Sequence, residues 1–74
     1  MFNVLNQVKA KLEQQFAREG VAAEVTFISA RMFSVFCDEA GQFVKAKQLM
    51  AAANQAYDSE NCDDELGFCA YYNF

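Results

Sequence analysis

Leu5, Val8, Leu12 and Phe16 recur every three or four residues near the start of the chain, which is the apolar stripe of an amphipathic helix. Asn3 suits the N-cap, and Gly20 suits the left-handed position just past the helix end. Val21 would then follow the stop and touch Phe16, so a helix is expected from Asn3 to Glu19. Gln7, Glu13, Gln14 and Arg18 would form its wet side. From residue 22 the period shortens to two. Val25 and Phe27 alternate with Glu24 and Thr26, which predicts a strand over 22–29. Met32 to Cys37 predicts a second strand, with Phe33, Val35 and Cys37 on one face and Met32, Ser34 and Phe36 on the other. The link at Ser29 to Arg31 is short enough only for a hairpin. Phe on both faces of the second strand suggests that both are covered.

Residues 38–47 allow two readings. Asp38 could cap a helix through Phe43, Ala46, Met50, Ala53 and Tyr57. Alternatively, Asp38 to Gly41 could be a β-turn leading into a strand over 42–47. The Lys, Gln, Leu, Met and Ala content favours the helix, ending near Asp58. Residues 58–65 read as an acidic loop, and Phe68 to Phe74 read as a last strand. The expected order is helix-strand-strand-helix-strand. This is a single α+β domain over residues 1–74, in which two helices pack on an antiparallel three-stranded sheet.

Composition adds three constraints. A chain of 74 residues that is 54% hydrophobic and contains eight Phe and three Tyr has material for a core and is unlike a disordered chain. It has no apolar run of the roughly 20 residues that span a bilayer. Its first residues carry no basic segment leading into an apolar one, so no signal peptide is read there. Three cysteines, an odd number, make a poor disulfide framework and fit a cytoplasmic setting. A net charge of −4 disfavours direct binding to nucleic acid and to anionic membranes.

Catalytic chemistry has few candidates. There is no His, which removes the usual Ser-His and Cys-His nucleophile pairs and mixed Cys/His zinc sites. Gly20, Gly41 and Gly67 stand too far apart to form a phosphate loop. Cys37, Cys62 and Cys69 lack a CxxC spacing, and the acids around Cys62 disfavour its thiolate. The acidic run fails the EF-hand pattern, because Cys62 stands where a ligand is needed and the turn glycine is missing. No catalytic residue, metal or cofactor is expected.

The remaining signal is charge asymmetry. Residues 1–57 sum to +1, and residues 58–74 hold five acids and no base. Asp58, Glu60, Asp63, Asp64 and Glu65 are followed by Tyr71, Tyr72 and Phe74, so these eight residues are the candidate partner-binding set. Carboxylates beside rings suit a basic protein surface. Small size, acidity, an α+β pattern and missing catalytic residues resemble the small acidic inhibitors of phages and mobile elements, including anti-CRISPR proteins and DNA mimics. That resemblance implies occupation of a basic, nucleic-acid-binding surface on a host protein or nucleoprotein complex. The near-neutral first 57 residues depart from mimics that are acidic throughout. The competing expectation is a homodimeric assembly module that pairs through its C-terminal strand, if that strand lies at a sheet edge.

Overall fold

The computed structural model describes residues 2–73. Six elements follow one another: α1 (Phe2–Arg18), β1 (Glu24–Ser29), β2 (Met32–Cys37), α2 (Ala40–Ala52), β3 (Ala56–Asp63) and β4 (Gly67–Asn73). The class is α+β, as expected, but the sheet has four antiparallel-paired strands in the order β1-β2-β4-β3. Three corrections follow. The segment expected as an acidic loop is strand β3 up to Asp63. The second helix stops at Ala52, well before Asp58. The C-terminal strand lies inside the sheet between β2 and β3, so it has no free edge for pairing with a second copy.

Both helices end in the same way, by different residues. After α1, Gly20 takes φ 72°, Val21 N–H reaches Phe16 O at 2.8 Å, and Gly20 N–H reaches Ala17 O at 3.1 Å. After α2, Asn54 takes φ 58°, Gln55 N–H reaches Met50 O at 3.0 Å, and Asn54 N–H reaches Ala51 O at 3.1 Å. Both are Schellman stops, which satisfy carbonyls the helix leaves unpaired. Asn tolerates the left-handed region better than other side-chain-bearing residues, so Asn54 turns the chain into β3. The start of α1 at Phe2 puts Asn3 inside the helix rather than at its cap. At α2 the cap position is Glu39, with no side-chain hydrogen bond, not Asp38.

The core lies between the two helices and one face of the sheet. Leu12 and Phe16 of α1 and Phe43, Ala46 and Met50 of α2 meet Val25, Phe33, Val35, Cys37, Ala70 and Tyr72. The strand register sets four rings in a row across all four strands, since Phe27 pairs with Phe33, Phe33 with Tyr72, and Tyr72 with Tyr57. Neighbouring centroids along that row are 5.4, 5.5 and 5.9 Å apart. Such cross-strand aromatic contacts add to what burial alone contributes. The opposite face of the sheet carries Met32, Ser34, Phe36, Cys69 and Tyr71, and among the described residues no helix lies over it. Phe36 instead lies along Gly67. The Phe residues of β2 therefore serve two unlike surfaces rather than two covered ones.

Strand β3 reaches the sheet by a split β-α-β path. β2 and β3 both run antiparallel to β4, hence parallel to each other, with α2 as the crossover and β4 between them. This leaves β3 at the edge. All eight of its residues are exposed.

Candidate functional site

The acidic residues are brought to one edge of the sheet but do not form one uniform patch. Asp58 sits in a bulge, because Tyr57 and Ser59 oppose the consecutive residues Tyr72 and Tyr71. Its carboxylate accepts a 2.9 Å hydrogen bond from the Ser59 hydroxyl. Past the bulge the alternation puts Glu60 and Cys62 on the helix side, level with Ala70 and Phe68. Ser59, Asn61 and Asp63 turn to the opposite side.

Glu60 has a defined set of partners. Lys47 Nζ of α2 donates to Glu60 Oε1 at 3.0 Å, the Tyr57 hydroxyl donates to the same oxygen at 2.9 Å, and the Cys62 thiol donates to Oε2 at 3.3 Å. The lysine first, and then the tyrosine and thiol, hold the Glu60 carboxyl below the usual range. Lys47 also lies 4.7 Å from the centre of the Phe43 ring. It is therefore a strut from α2 to β3. Both partners are about a third exposed, so solvent screens the pair and it positions β3 more than it stabilises the fold.

Asp63 shapes the β3–β4 turn. Its Oδ1 accepts from Glu65 N–H at 2.8 Å and from Leu66 N–H at 2.9 Å. The Leu66 bond first, and then the Glu65 bond, lower its pKa. A lowered folded-state pKa adds stability above the ordinary aspartate range, and that stability is lost as pH falls through the lowered value. Asp63 is thus needed where it is, whatever else it contacts. Asp64 and Glu65 stand exposed at the tip of the turn. Among the described residues the Lys47–Glu60 pair is the one salt bridge, so the other four acids have no cationic partner.

The aromatic part of the expected set divides. Tyr72 is 2% exposed, stacked on Phe33, and burial first of all pushes its phenol up to about 12. It is a core residue and cannot touch a partner, which corrects its placement in the binding set. Tyr71 is on the opposite face and half-buried. Phe74 lies outside the described residues. Sequence reasoning missed Tyr57, which is 51% exposed, packs edge-on to Tyr72 and hydrogen-bonds Glu60. The signal available was its position directly before the acids.

Reactive chemistry is sparse here. Burial first, and then the nearby Asp38 and Cys69, raise the Cys37 thiol to about 11, so it stays protonated in the core. Desolvation first, and then Glu60, raise the Cys62 thiol. Among the described residues, no cluster of Cys, Asp and Glu is arranged to hold a metal ion. No described helix is long and apolar enough to cross a membrane. What the site defines is a sheet edge with an anionic rim, carried on a two-layer α+β domain. Compared with protein-family models, with curated proteins and with solved structures, the chain matches none.

Proposed function

We propose that this chain is a non-enzymatic binding protein of the cytoplasm. Its β3 edge and β3–β4 turn dock against a basic surface of a larger host protein or nucleoprotein complex and compete there with nucleic acid. The observation that carries this reading is the state of β3. It is exposed at every position, and Asp58, Asp63, Asp64 and Glu65 at its two ends have no cationic partner among the described residues. Unpaired carboxylates of one sign steer a cationic partner and repel an anionic one. The buried Tyr72 leaves Tyr57 and Tyr71 as the rings beside those acids, one on each side of the sheet edge.

The reading makes ionic strength decisive. A partner captured from lysate of the native host at low salt is expected to elute when salt shortens the Debye length to a few ångströms. It should also be displaced by added duplex DNA or RNA. Capture that is indifferent to both salt and nucleic acid contradicts the proposal.

A further inference from the structure

The two edges of the sheet are treated differently. At the β1 edge, the Val25 N–H is taken by Glu13 Oε2 of α1 at 3.2 Å. At the β3 edge, no other described element bonds the outward backbone groups, since the Lys47 bond of α2 ends on the Glu60 side chain. Backbone direction along β3 follows from the register. Residues of an antiparallel strand alternately turn their N–H and C=O toward one neighbour and toward the other. Val25 turns away from β2, so its partner Val35 bonds to β4, and Val35 pairs with Ala70. Ala70 therefore turns away from β3, and its partner Glu60 turns outward. Two residues on, Cys62 does the same. Asn61 between them bonds inward to β4.

We propose, building on the acidic-surface reading above, that the partner contributes an extended basic segment that adds as a fifth strand along residues 59–63. Its backbone pairs with the outward N–H and C=O groups of Glu60 and Cys62. A strand of five residues spans about 17 Å. The bulge at Asp58 ends the pairing on one side, and the turn at Asp63 to Leu66 ends it on the other. The unpaired acids sit at those two ends, so the segment that fits has Lys or Arg flanking a short uncharged middle. Glu60, occupied by Lys47, contributes its backbone rather than its charge. A second copy of β3 is a poor occupant. Antiparallel pairing about Asn61 would bring Asp58 of one chain opposite Asp64 of the other, and like charges directly opposite destabilise a pair. The charges that blunt this edge against self-association are the ones that admit a basic strand.

The test uses the full chain, labelled for amide NMR, with two synthetic peptides. One is a capped Lys-Lys-Thr-Val-Thr-Lys-Lys peptide. The other has the same sequence with N-methyl groups on the alternate amides that would face β3. The first peptide is expected to slow amide exchange of Glu60 and Cys62 while leaving Asn61 as it was. The methylated peptide should bind at least about tenfold more weakly, as expected when two hydrogen bonds of about 1 kcal/mol are lost. Equal binding of both peptides with no change at Glu60 and Cys62 overturns strand addition but leaves the acidic-surface reading standing. Failure of both to bind at low salt overturns the two together.

Discussion

Replacing Phe33 with alanine is expected to remove most of the domain's stability. Phe33 is wholly buried on β2, an inner strand, with the Phe27 ring on one side and the Tyr72 ring on the other. Removing a buried Phe costs about 3–5 kcal/mol, through lost burial and the cavity left behind. A domain of this size has only about 5 kcal/mol of total stability to lose. The row of rings also fails as a unit, since Phe33 is the contact that joins β1 to β4 along it. Urea unfolding followed by far-UV circular dichroism checks the expectation. Phe36→Ala, which removes a half-buried ring from the uncovered face, is the comparison and should cost clearly less. Equal losses would mean that the helix-covered face is not the main core.

Gly67→Ala is expected to cost about 2–3 kcal/mol, far beyond an ordinary surface change. Gly67 begins β4 with φ 113°, a backbone angle that side-chain-bearing residues rarely adopt. A Cβ there would stand 2.5 and 2.6 Å from two atoms of the Phe36 ring and 3.2 Å from Cys37 O. The ring could swing aside, but the carbonyl is fixed in the sheet, and the φ strain remains. Gly41→Ala gives the control. It lies in the first turn of α2 with nothing within 4 Å of the new Cβ, and alanine there should add a few tenths to about 1 kcal/mol. Opposite signs for the two glycines in the same melting experiment would support this turn geometry; a neutral Gly67→Ala would contradict it.

Both helices and three of the four strands are legible in the sequence because each buries a face and so carries a period. The stripe Leu12 and Phe16, the alternation Val25 and Phe27, and the helical set Phe43, Ala46 and Met50 all follow from burial. β3 buries nothing, so Tyr57-Asp58-Ser59-Glu60-Asn61-Cys62 has no apolar rhythm and reads as a loop. Its strand conformation comes from hydrogen bonding to β4, which the hairpin brings alongside. The early end of α2 turns on Asn54 alone, because an Asn in the left-handed region is not distinguishable from a helical one by composition. The acidic cluster itself was visible as a run of charges. Its division was not, because the Lys47–Glu60 pair depends on where α2 crosses the sheet. Alternation alone shows that Tyr71 and Tyr72 face opposite ways, and only the pairing of Tyr72 with Phe33 decides which one is buried.

The claim on which the rest depends is that the β3 edge, with unpaired acids at both ends, is where a basic partner docks. Charge reversal tests it most directly if it spares Glu60, which ties β3 to Lys47 of α2, and Asp63, which closes the β3–β4 turn. The variant with Asp58→Lys, Asp64→Lys and Glu65→Lys should keep the wild-type circular dichroism spectrum and melt within a few degrees of wild type, since exposed substitutions change stability little. Affinity for the captured host partner, measured by titration at low salt, should fall at least about a hundredfold if each reversed charge is worth around 1 kcal/mol or more. A folded variant that binds the partner as tightly as wild type would contradict the account.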